Sequence, residues 1–232
     1  AEALVRWELP ERGLILPSDF IPIAEETSLI IEIGEWVLDK VCEDFRLWQH
    51  SVGSPGRVSV NLSLKQLRQP NFIKRIGSIL RGHEVSPTSL ELEITETTLM
   101  ENPERTIKLL DQLYGLGLHL AIDDFGTGYS SLSALQQFPI STLKIDRSFV
   151  RDVVVNADDA TIVDTIIQMG QNLNMDVVAE GVENEAQLAV LQKMDCTYAQ
   201  GLLFGDPMSG DNYLELLLAQ AEGTDTHRAL FA

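Results

Sequence analysis

The sequence predicts an α/β fold built on parallel strands, and three observations carry that prediction. Short apolar or β-branched runs alternate with longer stretches whose apolar residues recur every three or four positions, the order expected when crossover helices join parallel strands. With 232 residues, 44% of them hydrophobic, the chain can bury one sizeable core. No proline- or serine-rich linker breaks the alternation, so residues 1–220 read as one domain and 221–232 as a tail, where "THRALFA" is expected to be poorly structured.

Seven segments have the composition of strands. In chain order they are "EALVRW" from Glu2, "RVSVNLS" from Arg57, "LELEIT" from Leu90, "LHLAID" from Leu118, "TLKID" from Thr142, "DVVAEGV" from Asp176 and "YAQG" from Tyr198. Between them the helical period appears. Its clearest instance sets Ile30, Ile33, Val37, Val41, Phe45 and Trp48 on one face. Further helices are predicted over 64–81, 103–117, 158–174, 185–193 and 211–220.

Seven strands are one short of an eight-stranded barrel, which implies that another strand precedes Ala1. An open doubly wound sheet needs no eighth strand. The positions of the polar residues favour the barrel. Asn61, Glu93, Asp123, Asp124, Lys144, Asp146, Glu180 and Gln200 all fall at or near strand ends. One such residue alone usually caps a helix or opens a loop. Recurrence on nearly every strand is different, because a barrel gathers all its strand ends around one mouth.

Composition limits what such a mouth can do. There are 35 acidic residues against 17 basic, a formal charge of −18, which disfavours binding to polymeric nucleic acid. Cys42 and Cys196 lack metal-ligand or redox spacing and read as reduced thiols of a cytoplasmic domain. No apolar run reaches the length of a membrane span, and the start lacks the layout of a signal peptide.

If Glu2, Glu93, Asp123, Asp124 and Glu180 converge, Lys144 is the main fixed cation among them. Two unit charges about 4 Å apart repel by roughly 4 kcal/mol at an effective dielectric near 20. Some carboxylates must then be protonated, or cations must sit between them. Carboxylates joined by the amide of Asn61, without nearby Cys or His, suit Mg²⁺ or Mn²⁺ better than zinc. Adjacent Asp123 and Asp124 would let one carboxylate bridge two ions while the other binds the second, a layout used for phosphodiester hydrolysis. Lys144 either acts on the attacking water, which requires a lowered pKa if it is to take a proton, or neutralises the acidic ring. "GTGYSS" from Gly126 reads as a gating loop or as a tight turn into a helix at Ser130.

The segments "EALVRW", "VNLS", "LEITE", "DDFGTGYSS", "LKIDRSFV", "VVAEGVE" and "QGLLFGDP", in this order from Glu2 to Pro207, resemble the signature blocks of the EAL domain family, the bacterial cyclic di-GMP phosphodiesterases. The resemblance implies a modified TIM barrel whose first strand is antiparallel and lies upstream of Ala1. It implies hydrolysis of cyclic di-GMP to linear pGpG with two Mg²⁺ or Mn²⁺ ions, or, in a catalytically silent member, binding of the dinucleotide alone. Glu2, Asn61, Glu93 and Asp123 would hold the first ion, with Asp123 bridging to a second held by Asp124 and Glu180. Lys144 would contact the nucleophilic water and Arg6 a substrate phosphate. Gln200 would lie near the reacting centre, and Asp146 would approach a guanine. Glu183 would support the site, and Glu96 would tether the loop after Asp124. Leu202 stands where many relatives have an aromatic residue. A homodimer and an upstream sensory or cyclase-like domain are further implications of the resemblance.

Overall fold

In a computed structural model, which describes residues 1–128 and 135–222, seven parallel strands form one curled sheet with helices packed on its outer face. Part of the "GTGYSS" segment, from Tyr129 onward, and the tail from residue 223 lie outside the described residues. The sheet contains β1 (Glu2–Ala3), β4 (Val58–Asn61), β5 (Leu90–Thr95), β6 (His119–Phe125), β7 (Thr142–Ile145), β8 (Asp176–Ala179) and β9 (Tyr198–Ala199). Spatial order follows chain order without reversal. A doubly wound sheet would reverse at a switch point, so the architecture is the TIM-barrel type and not the open alternative.

Residue alternation builds a polar interior. Leu90, Leu92 and Ile94 of β5, with Leu143 and Ile145 of β7, are fully buried in the hydrophobic core. The intervening Glu91 and Glu93, or Thr142 and Lys144, point the other way, because successive strand residues face opposite sides. They form two tiers inside the curl. At the lower one, Glu91 accepts from Ser59 Oγ at 3.1 Å, Thr142 Oγ1 at 2.8 Å and Arg57 Nη1 at 3.1 Å. The upper tier is the site described below.

The segment "EALVRW" does not continue as one strand. Pairing with β4 ends at Ala3, and the chain turns into a hairpin of β2 (Trp7–Leu9) and β3 (Gly13–Ile15). Gly13 (φ 70°) supplies a conformation that residues with a side chain rarely adopt. A helix absent from the sequence reading follows, α1 (Pro17–Thr27), opened by proline at its first position.

The long helix α2 (Ile30–Val52) buries Ile30, Gly34, Leu38, Val41, Cys42, Phe45 and Trp48. Its inner face is therefore rotated toward Gly34 and Leu38 and away from the expected Ile33 and Val37. Gly34 sets that rotation: a Cβ there would lie 1.8 Å from Gln66 Nε2. The single helix expected over 64–81 is two, α3 (Leu64–Leu67) and α4 (Phe72–Gly82). Pro70 cannot donate an amide and Asn71 is left-handed (φ 66°), so the helix cannot run through.

Among the described residues, further α-helices are α5 (Glu96–Met100), α6 (Pro103–Gly115), α7 (Arg147–Arg151), α8 (Ala157–Asn172), α9 (Glu185–Lys193) and α10 (Gly210–Ala221). The short α5 and α7 follow directly on β5 and β7. None of the described helices is long and apolar enough to cross a membrane.

Candidate active site

Lys144 stands at the centre of the upper tier. Its Nζ lies 2.6 Å from Glu180 Oε1, 2.7 Å from Glu93 Oε1, 3.5 Å from Glu2 Oε2 and 3.7 Å from Asp123 Oδ1. These four carboxylates come from β1, β5, β6 and the end of β8, and the cation from β7. The convergence follows from the inward alternation of each strand and the curl of the sheet.

Adjacent acids on a straight strand would point to opposite faces. Here a β-bulge changes that. The pairing of β6 with β7 runs Ile122 to Leu143 and then Phe125 to Ile145, so β6 carries one extra residue. Asp124 takes the left-handed conformation (φ 52°), which Asp tolerates better than most residues. Carboxylate oxygens of Asp123, Asp124 and Glu180 consequently lie within 4.8 Å of one another. Asp123 Oδ1 also accepts the Asp124 amide at 2.9 Å.

Two amides flank Glu2. Asn61 Nδ2 donates to its Oε1 and Gln200 Nε2 to its Oε2, each at 2.7 Å. The second bond spans the two edges of the sheet, because Glu2 lies on β1 and Gln200 directly follows β9. Glu96 is buried at the start of α5, where its Oε2 accepts from the Gly126 and Gly128 amides at 3.0 and 3.1 Å. The carboxylate of Asp146 caps α7 by accepting from the Ser148 amide and hydroxyl, and it shares a hydrogen bond with Asp124.

Arg6 and Glu183 stand apart from this network. Arg6 Nη1 donates to Val5 O, and among the described residues no ion pair joins it to the acids. The side chain of Glu183 is exposed, and its backbone amide donates to Gln187 Oε1. Leu202, following β9, is also exposed.

Burial dominates the acidity of the cluster. It pushes Glu93 up to about 8 against the pull of Lys144, aided by the charges of Glu2 and Asp123. Glu180 rises to about 7 through burial and the charge of Asp123, again opposed by Lys144. Burial, Asp123 and the bond to Asp146 raise Asp124 to about 6. For Glu2 burial is outweighed by Lys144 and the amides of Gln200 and Asn61, and its pKa is lowered. Burial also opposes the charge on Lys144, but Glu93, Glu180, Glu2 and Asp123 together raise its pKa above the ordinary lysine value. The protein alone therefore keeps this ammonium protonated, contrary to the lowered pKa that proton abstraction would require.

The donor set fits divalent cations. Five carboxylates against one ammonium leave a formal excess of four negative charges, which two divalent ions would balance. Neither Glu93 oxygen has a well-directed hydrogen bond despite complete burial. Lys144 Nζ, 2.7 Å from Oε1, supplies charge without good alignment, so the carboxylate retains acceptor capacity that a metal ion could use. The cysteines take no part: both are free thiols, and burial pushes Cys42 up to about 12 and Cys196 up to about 11.

Gln187 was not singled out by sequence reasoning. It is buried near the start of α9, its amide accepted by Asn184 Oδ1 and its own Oε1 accepting the Asn184 amide. The N-x-x-Q spacing of that reciprocal cap was the available signal.

Comparison with known proteins shows the family and the fold. A family model described as the EAL domain matches residues 1–207. The bifunctional diguanylate cyclase/cyclic di-GMP phosphodiesterase MucR of Pseudomonas aeruginosa is 45% identical over 213 residues, covering 92% of this chain and 31% of MucR. The signaling protein YkoW of Bacillus subtilis is 41% identical over 220 residues, covering 95% of this chain and 27% of YkoW. The chain thus spans under a third of the length of these relatives. A solved structure of the PaMucR phosphodiesterase in complex with c-di-GMP superimposes with a TM-score of 0.88 at 44% identity, covering 91% of this chain and 85% of that one.

Proposed function

From the premise that this chain belongs to the EAL domain family, we propose that it is a metal-dependent phosphodiesterase hydrolysing cyclic di-GMP to linear pGpG. One observation carries the proposal: four carboxylates surround buried Lys144, and a bulge turns Asp124 in beside Asp123 and Glu180. A module that merely bound a dianionic ligand would gain nothing from so dense an array of negative charge.

Glu2, Asn61, Glu93 and Asp123 would hold one ion, and Asp124 and Glu180 a second with Asp123 between them. Bound there, Mg²⁺ or Mn²⁺ would offset charge on the phosphoryl oxygens and acidify water enough to make it a nucleophile. Without metal the four carboxylates favour the charged ammonium, which would orient the water by donating a hydrogen bond; two bound dications would oppose that charge, and proton acceptance by Lys144 would depend on them. Its charge also holds Glu93 and Glu180 in place. The guanidinium of Arg6, which has no carboxylate partner among the described residues, would offer its fork of donors to a substrate phosphate.

Gln200 and Asn61 fix the rotamer of Glu2 from opposite sides. Asp146 is held at the start of α7 and by Asp124, and from there its carboxylate would approach a guanine of the substrate.

The test is incubation of the purified chain with cyclic di-GMP and Mg²⁺ or Mn²⁺, with and without EDTA, followed by chromatography. Linear pGpG that appears only with metal is the expected result. Tight binding with no product in either metal would replace the hydrolase with a dinucleotide-binding module.

A further inference from the structure

We infer that Gln187 is a positioning residue for Glu180, acting through the loop from Gly181 to Asn184; the inference rests on the reading of Glu180 as a metal-site carboxylate. Its carboxamide makes three bonds to backbone. Oε1 accepts from the Glu183 amide at 2.8 Å and the Asn184 amide at 3.1 Å, and Nε2 donates to the Arg151 carbonyl at 3.0 Å. Helix capping accounts for the bond to Asn184. It does not account for the other two.

Those two join segments that carry opposite sides of the site. Arg151 ends α7, the helix that follows Lys144 and Asp146, whereas Glu183 belongs to the loop that follows Glu180. One buried carboxamide thus ties the backbone downstream of Lys144 to the backbone downstream of Glu180. A carboxamide suits this task because it offers an acceptor and a donor at one end of a side chain.

Other bonds hold the Glu180–Val182 end of the same loop, and Gln187 supplies the tie at its Glu183–Asn184 end. The Glu180 amide donates to Ile145 O at 3.2 Å, Val182 N to Gln200 O at 3.0 Å, and Leu203 N to Val182 O at 3.0 Å. At Gly181 a Cβ would lie 2.7 Å from Arg147 Cβ, so this turn packs directly on α7. Release of the α7 tie would let the loop shift, and with it the carboxylate 2.6 Å from Lys144.

The test uses Gln187→Glu, which keeps an acceptor for both amides but replaces the donor to Arg151 with an oxygen and adds a buried acid, and Gln187→Leu, which removes all three bonds without adding charge. Asn156→Ala serves as the control, because it removes the cap of α8 without touching the site. Mn²⁺ binding without substrate is read by calorimetry, turnover as kcat and KM, and stability by thermal denaturation. Partners that orient metal ligands typically account for about 10–100-fold in metal affinity or activity, so Gln187→Glu should weaken Mn²⁺ binding and kcat by about tenfold and Gln187→Leu by more. KM should stay within about twofold, since the lost interaction acts on the reacting centre and not on substrate binding.

If both variants lose thermal stability as Asn156→Ala does but keep wild-type Mn²⁺ affinity and kcat, Gln187 is only a helix cap and the inference falls. Should Gln187→Leu not fold, Gln187→Glu decides. Weakened Mn²⁺ binding in a chain whose parent hydrolyses nothing would keep the positioning role while removing the proposed catalysis. Unchanged variants of an active parent would do the reverse.

Discussion

Lys144 Nζ and Glu180 Oε1 lie 2.6 Å apart across the β7–β8 ladder, the closest of four contacts between a buried ammonium and carboxylates from separate strands. The cation holds together acids that burial would otherwise protonate. That dependence makes the site's charge testable.

Replacing Lys144 with Met keeps the stem length and removes the charge. Breaking a buried ion pair by deleting one partner typically costs about 3–5 kcal/mol. Denaturant titration of Lys144→Met in EDTA at about pH 8 should show a loss in that range, smaller near pH 5, where the carboxylates can protonate. An equal, small loss at both pH values would mean that the ammonium does not compensate the acids.

Metal-free protein should lose stability as pH rises from about 5 to about 8.5. Glu93 and Glu180 titrate near about 8 and about 7 in the fold, above the ordinary 4.5. The folded state then binds more protons than the unfolded state across that window, and stability falls as pH increases. Asp124, raised to about 6, acts in the same direction over the lower part. Glu2 is lowered and Lys144 raised, so their contributions are already complete within the window. His119, lowered chiefly by burial, opposes the trend only below about its ordinary 6.5. Thermal midpoints in EDTA across this range check the slope, and Mg²⁺ should flatten or reverse it because bound carboxylates are ionised.

Asp124→Asn separates charge from backbone, since Asn also tolerates the left-handed conformation. Mn²⁺ at a hundred times its dissociation constant should stabilise the parent by about 2.7 kcal/mol, and a tenfold loss of affinity would remove about 1.3 kcal/mol of that. Thermal shifts with and without Mn²⁺ provide the comparison. An undiminished shift in Asp124→Asn would take this carboxylate out of the metal site.

Glu96→Ala should loosen the turn after β6, leaving the amides of Gly126 and Gly128 without this acceptor. Hydrogen bonds to a charged group contribute about 1.5–3 kcal/mol each. Hydrogen exchange at those two amides should quicken accordingly. Gly128→Ala should have a related effect, because a Cβ there would lie 2.8 Å from the Glu96 carboxyl carbon. Unchanged protection in Glu96→Ala would assign the turn's order to other contacts.

The sequence made the inner tier legible because period-two alternation in "LELEIT" and "TLKID" leaves the polar residue of each pair only one face to occupy. The hairpin after Ala3 was hidden by its size, three residues per strand, although Pro10 and Gly13 marked the turn. The rotation of α2 was hidden in a different way: Gly34 counts little in an apolar pattern, yet the approach of Gln66 makes it the inner residue. Adjacent Asp123 and Asp124 suggested paired ligands, but the bulge that aims both depends on a backbone angle that composition does not encode. Gln187 was overlooked because a cap motif explains its spacing without revealing its third bond.

The bond between Glu2 and Gln200 also has a consequence in time. These residues are 198 positions apart, so during synthesis at about 5–20 residues per second the first carboxylate would wait roughly 10–40 s for its partner. A chain emerging from the ribosome, or one clipped before the last strand, holds most of the acidic cluster but lacks the amide that joins its two edges. Full metal affinity should therefore require synthesis through Gln200.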